Sequence, residues 1–327
     1  MEERKEYGAL DLIRIIASFF VVIVHVHFPR PYLHASMAVA RFAVPVFFMI
    51  SGYFLFSPSD SKETKLSRIR KTFRKIAVLT LVSILLYTVS NSIVCLIKGQ
   101  GIFNWFFSKM NTTVLLELLI YNRTEFLCSM IWYLPAFLYV LVIIHLLVKY
   151  DKLKISYYLI PVLLILNIIM GEVLKLDWYY QGNWLFTALP FVLTGRVFRE
   201  YPKTKARIST LTLWMLLIAG VIITINESFY FEGKLLYIGT IFTTVSLFMI
   251  GLGSERKWPS AITLIGRKIT MYIFIIHCMI RDFIFAIYGL PQGTLAWLMP
   301  FIVFFLSAAA GFVIYKVSGL FKRSDLK

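Results

Sequence analysis

Apolar residues along this chain come in long runs, not in the short alternations of a soluble fold, and the runs recur from end to end. They can be placed at 10–28, 37–56, 76–97, 129–148, 155–174, 184–198, 208–226, 235–253, 262–280 and 295–315. All but the shorter 184–198 have the roughly 17–25 residues that a helix needs to cross the hydrocarbon core of a bilayer. The pattern therefore predicts an all-α polytopic membrane protein with about ten transmembrane helices. Two connections are long: a basic segment from Ser57 to Lys75, and a second from Lys98 to Ser129. Within the second, Gly101-Ile102-Phe103-Asn104-Trp105-Phe106-Phe107 has the aromatics of a helix lying at an interface, so 98–128 is expected as an outer loop that caps a cavity. No composition shift marks a second soluble domain, and 1–327 is expected to be one transmembrane domain.

Composition agrees, with 59% hydrophobic residues, 16% charged residues and a mean hydropathy of +0.77. The net charge of +17 alters the picture only through its distribution. With a cytoplasmic N-terminus, the inner segments collect Arg4 and Lys5, the run from Lys62 to Lys75, Lys149, Lys152 and Lys154, then Arg196, Arg199, Lys203, Lys205 and Arg207. Arg256, Lys257, Arg267, Lys268, Lys316, Lys322, Arg323 and Lys327 complete the inner set, while outer segments are poor in Lys and Arg. This is the positive-inside pattern of an even number of spans, with both termini cytoplasmic in the cell membrane. Topology and lipid headgroups account for the charge, and no nucleic-acid partner is expected. The first run carries Asp11 and Arg14 and lacks an A-x-A-like exit, so it should remain as a span and not be cleaved as a signal peptide. Cys95, Cys128 and Cys278 lack metal-ligand spacing and read as buried thiols, so no metal is expected. Asn111-Thr112-Thr113, Asn122-Arg123-Thr124 and Asn226-Glu227-Ser228 are glycosylation-type triplets on the outer side.

Chemistry has to come from polar residues inside the spans. Eleven helical steps return to within about 20° of the starting direction and rise about 16 Å, so Arg14 and His25 share a face of the first helix. Asp11 and Ser18 fall close to the same stripe. His25 can accept and return a proton near neutral pH, or can serve as a core histidine bound to a carbonyl. Arg14 can hold an anion entering from inside, snorkel to headgroups, or pair with Asp11. The basic run with Arg68, Arg70, Lys71 and Arg74 could hold phosphates or anchor the topology. Arg41 opens the second span, Pro45 can kink it, and Ser51-Gly52 allows close backbone approach, with packing favoured over a nucleophilic Ser51. Thr270, His277 and Arg281 share a face of the ninth span and could line the same cavity. His27, about 200° round from His25, and His34 should see solvent or headgroups.

These motifs resemble the acyltransferase family 3 integral membrane proteins. The likeness lies in Asp11, Arg14, Ala17 and His25 of a D-x-x-R-x-x-A start with an R-x10-H pair. It extends through Val44-Pro45-Val46-Phe47-Phe48-Met49-Ile50-Ser51-Gly52-Tyr53, Ile131-Trp132-Tyr133-Leu134, and the run from Tyr272 to His277. The resemblance implies an acyl group, often acetyl, taken from cytoplasmic acyl-CoA and delivered to a hydroxyl on the other side, commonly of an envelope glycan. His25 would act as general base on the acceptor hydroxyl, or accept the acyl group transiently, and Arg14 would contact the CoA end. It also adds Trp132 and Tyr272 to the cavity. The family's cytoplasmic R-x-x-R is matched here only by Arg68-Ile69-Arg70-Lys71 and Lys71-Thr72-Phe73-Arg74. The chain is similar, too, to the membrane portion of membrane-bound serine racemases of vancomycin-resistance clusters, which implies a transport or sensor domain as the alternative. Partners are then membrane lipid, acyl-CoA and a glycan or small hydroxyl acceptor, with no oligomeric state specified.

Overall fold

The computed structural model describes residues 7–109, 112–202, 208–231 and 233–324, with side chains through Ser318. Arg4, Lys5, Lys203, Lys205, Arg207 and Lys327 of the basic set, and Asn111, lie outside the described residues, as do the side chains of Lys322 and Arg323.

The regular structure among the described residues is all helical, with no strand. In chain order the helices are α1 (Gly8–His25), α2 (Leu33–Ala40), α3 (Ala43–Phe54), α4 (Lys62–Ile97), α5 (Ile102–Lys109), α6 (Thr112–Tyr121), α7 (Tyr133–Lys149) and α8 (Leu153–Ser156). They continue as α9 (Leu159–Ile168), α10 (Trp178–Gln181), α11 (Leu189–Glu200), α12 (Thr210–Tyr230), α13 (Ile238–Gly253), α14 (Ser260–Leu264), α15 (Thr270–Tyr288) and α16 (Gly293–Ser324). Short wide-turn segments at Ile169–Val173, Trp184–Ala188 and Ile265–Ile269 join their neighbours.

Among the described residues, eight helical stretches are long and apolar enough to cross a bilayer: Gly8–His25, Leu33–Phe54, Lys62–Ile97, Ser129–Lys149, Leu153–Val173, Thr210–Tyr230, Ser260–Tyr288 and Gly293–Ser318. This is a polytopic membrane protein. The stretches expected at 184–198 and 235–253 are helical too, but α13 has only 16 residues and the other is divided between Trp184–Ala188 and α11. Both fall short of the length of about 20 residues that spans a hydrocarbon core on its own.

Two connections depart from expectation. The basic segment 57–75 is not a loop: α4 starts at Lys62, where Ser61 Oγ accepts the Thr64 N–H at 3.2 Å, and runs unbroken for 36 residues. An N-cap and a run of good helix formers carry the helix past the bilayer length, with Arg68, Arg70, Lys71 and Arg74 exposed along it. The span at 37–56 is broken at Arg41–Phe42 into α2 and α3. A proline ring clashes with the carbonyl four residues before it, and four residues before Pro45 is Arg41.

α1 is the central helix, packed against α2, α3, α13, α14, α15, α16 and the Ile265–Ile269 turn. Its contact with that turn is backbone-close, since a Cβ on Gly266 would lie 2.3 Å from the Asp11 carbonyl oxygen. α3 crosses α11 as closely: a Cβ on Gly52 would meet Val192 O at 2.1 Å, and one on Gly195 would meet Met49 O at 2.0 Å. Small residues permit such crossings, and where lipid tails are as apolar as leucine this packing is what holds helices together.

At that crossing Arg196, counted from the sequence among the inner-loop charges, is fully buried. It donates to Phe56 O at 2.7 Å and Gly52 O at 3.3 Å and lies 3.7 Å over the Phe56 ring. The carbonyls freed where α3 ends supply the partners that make a buried guanidinium tolerable.

Candidate active site

The two ends of α1 carry different sites. At its N-terminal end Asp11 is buried, and its two oxygens accept from Arg14 at 2.5 Å and from Arg267 at 2.8 Å. The pairing of Asp11 with Arg14 was one of the sequence alternatives; Arg267, which arrives from the Ile265–Ile269 turn, was not foreseen. A carboxylate in the first turn of a helix also faces the positive end of its dipole. The Arg14 guanidinium lies 5.5 Å from the Phe54 ring centroid. Nearby, the hydroxyls of Tyr7 and Tyr53 are 3.0 Å apart, and Arg199 donates to both at 3.4–3.5 Å. Arg68 pairs with Asp60 at 3.2 Å, whereas Arg70, Lys71 and Arg74 are in no ion pair among the described residues and do not join Arg14.

Ser18, on the stripe between the two ends, donates to Ile15 O of its own helix at 2.7 Å and is buried. It is a packed hydroxyl. Ser51 lies 3.4 Å from the Tyr133 hydroxyl, which fits the expected packing role.

At the C-terminal end of α1, His25 lines a cavity of about 280 Å³ with Val21, Val24, His27, Met37, Ala40, Arg41, Val44, Pro45, Glu125, Ser129, Trp132, Trp178, Thr187, Gly233 and Leu235. Of the residues singled out from the sequence, the cavity gathers His25, Arg41 and Trp132; Arg14, Asp11, Ser18, Ser51, Tyr272, His277 and Arg281 do not line it. His27 does, against expectation. The helix ends at His25, Val26 leaves helical geometry at φ −128°, ψ 89°, and the 100° periodicity that turned His27 away no longer applies.

His277 and Arg281 instead form the support behind His25. The His25 and His277 rings are 5.3 Å apart at 47°. His277 Nδ1 bonds Ile273 O at 3.0 Å, its Nε2 lies 3.4 Å from Cys278 Sγ, and Arg281 donates to His25 O at 3.2 Å while pairing with Asp282. One donor atom from each of His25, His277 and Cys278 lies within 4.8 Å of the others, a donor set of the nitrogen and sulfur type that zinc takes. His25 lies 252 positions before the adjacent His277 and Cys278, so no spacing signal joins it to them and the cluster could not have been read from sequence. Cys95, Cys128 and Cys278 are free and buried, as the sequence suggested.

Glu125 and Trp178 are cavity residues that the sequence did not mark. Glu125 accepts Trp178 Nε1–H at 3.0 Å and Arg123 Nε–H at 2.7 Å, and Arg123 also pairs with Glu117 at 2.6 Å. Asn122, read as a glycosylation triplet, is fully buried: it donates to Trp132 O at 3.3 Å and accepts the Trp184 N–H at 2.9 Å. It holds the cavity wall and cannot carry a glycan.

No solved structure matches this chain. An Enterococcus faecalis protein named an amino-acid racemase is 32% identical over 165 residues, which is 46% of this chain and 20% of that protein. The chain thus spans about a fifth of the length of the curated relative it matches. A family model described as an acyltransferase domain matches residues 7–316. With that match over nearly all its length, the chain belongs to the acyltransferase 3 family of membrane proteins.

Proposed function

We propose that this protein is an O-acyltransferase of the cell membrane, with cytoplasmic termini and ten crossings. It moves an acyl group, acetyl in the simplest case, from cytoplasmic acyl-CoA to a hydroxyl of an envelope glycan or another extracytoplasmic acceptor. The observation that carries this reading is the place of His25 on the wall of a cavity where the first span ends, in a chain of an acyltransferase family.

His25 takes the acceptor proton as the hydroxyl oxygen attacks the thioester carbonyl carbon. The tetrahedral intermediate collapses, the carbon–sulfur bond breaks, and the imidazolium returns the proton to the departing CoA sulfur. Arg14, about 16 Å along α1, faces the donor. Arg68, Arg70, Lys71 and Arg74 on the exposed start of α4 serve the CoA phosphates. The short α13 and the Trp184–Glu200 stretch cross with the help of neighbouring helices.

The test is mass spectrometry of envelope glycans from cells carrying wild-type protein or His25→Gln at equal membrane levels. General-base catalysis is worth roughly 10²–10⁴-fold, so the variant should lose acylation by about that factor. Wild-type acylation by His25→Gln would remove the assignment.

The likeness to a protein named an amino-acid racemase favours one second reading, a membrane transport or sensor domain for a small solute such as serine. Uptake of radiolabelled serine by vesicles carrying the protein, in the absence of acyl-CoA, would support it over acyl transfer.

A further inference from the structure

The cavity at His25 holds a guanidinium that nothing described neutralises. Two charged side chains line it, Arg41 and Glu125. Glu125 is already satisfied: its Oε1 accepts from Trp178 at 3.0 Å, and its Oε2 accepts Arg123 Nε–H at 2.7 Å with the second Arg123 nitrogen at 2.5 Å. For Arg41, no carboxylate among the described residues lies within 4 Å of the guanidinium. The residue sits at the break between α2 and α3, where its own N–H bonds Ala38 O at 3.1 Å, and the chain on both sides of it, Ala40 and Val44, lines the same wall.

A cation inside a membrane protein with no counter-charge among the described residues is costly, and such groups face a partner or an aqueous cavity. That guanidinium marks the Arg41 wall as the anion-binding side. The remaining walls suit a small hydroxylated molecule, with the indoles of Trp132 and Trp178 as flat apolar surfaces and the imidazoles of His25 and His27 as hydrogen-bonding groups. A volume of about 280 Å³ is at the small end of ligand pockets, enough to hold one monomer unit.

We propose that this cavity binds a hydroxylated carboxylate, a sugar acid or a hydroxy amino acid, with the carboxylate on the Arg41 guanidinium and a hydroxyl turned toward His25. A planar fork opposite a carboxylate gives a directional, charge-assisted pair, and that pair selects the acid over its uncharged analogue. The assignment rests on reading the His25 cavity as the acceptor side, and it names the acceptor's chemical class.

The test is calorimetric binding to the full chain in lipid nanodiscs, using two matched pairs: D-glucuronate against D-glucose, and L-serine against L-serinamide. In at least one pair the acid binds roughly ten-fold tighter than its analogue, and the pair that shows the preference identifies the source. The preference falls to about parity in Arg41→Gln and is partly kept in Arg41→Lys, which retains the charge without the fork. Equal or weaker binding of the acid in both pairs, binding of none of the four compounds, or a preference that survives Arg41→Gln overturns the proposal. The wild-type comparison alone decides it if Arg41→Gln fails to fold. Carboxylate preference in a protein that transfers no acyl group would keep this assignment and sink the acyltransferase reading. His25-dependent transfer to a neutral acceptor, without any carboxylate preference, would do the reverse.

Discussion

Asp11 neutralises the N-terminal end of α1, because both of its oxygens are committed to cations from two different elements. Removing one partner of a buried ion pair costs roughly 3–5 kcal/mol, and since Arg267 is 41% exposed and Arg14 19% exposed, about 2–3 kcal/mol is expected for Asp11→Ala. Thermal unfolding in detergent should show that loss. Arg267→Ala, which leaves the Asp11–Arg14 pair in place, should cost less than about 1 kcal/mol. Equal losses in the two variants would show that Arg14 alone does not satisfy Asp11. At the same end, Arg14→Ala should weaken CoA binding measured by calorimetry while leaving the His25 cavity intact, since Arg14 does not line it. Unchanged CoA affinity would take Arg14 out of the donor site. The Asp11–Arg14 pair was legible in the sequence as an i, i+3 spacing; Arg267 was not, because nothing in a chain indicates which distant turn packs on a helix.

Among the elements, the crossing of α3 and α11 locates the site most directly. It lets Arg196 cap the carbonyls at the end of α3, and α3 in turn begins at the Arg41 break on the cavity wall. Gly195→Ala should therefore act at a distance. A Cβ 2.0 Å from Met49 O cannot be accommodated without separating the helices, and overpacking of this kind costs about 1–3 kcal/mol. Fluorescence-detected gel filtration should show a smaller folded fraction than for Ala188→Ser, a change at the buried start of the same segment. A folded fraction equal to wild type would show that the crossing is not tight. Half of this contact was visible beforehand, in Ser51-Gly52; its other half, Gly195, is one glycine in an unremarkable amphipathic stretch. The break at Arg41 was half legible too: Pro45 foretold a disturbance, and the i−4 clash put it at the residue that faces the cavity.

For the whole molecule, contacts gather the segments expected inside at one end of the bundle. Gly8 packs on Trp258, Asp11 on Arg267, Lys62 on Asp151, and Arg199 on Tyr7. The segments expected outside meet at the other end, with Glu125, Trp178 and Leu235 around His25, and Phe28 and Tyr32 against Trp297. If the first end is cytoplasmic, Arg70→Cys should react with a membrane-impermeant maleimide only after permeabilisation, and Phe107→Cys should react in intact cells. Both sites are exposed and the three native cysteines are buried, so the native thiols leave a low background. The reverse labelling would invert the proposed topology. The sequence by itself determined that the chain is a membrane protein of many helices and that polar side chains share one face of the first, because hydropathy and helical period are local properties that a linear order carries. Only the tertiary structure decided that Asp11 also takes Arg267 and that His25 shares its cavity with Arg41, Glu125 and Trp178. It alone set His277 and Cys278 behind that imidazole. Those neighbours come from segments far apart in the chain, and their meeting depends on which helices pack together at backbone distance, which no spacing encodes.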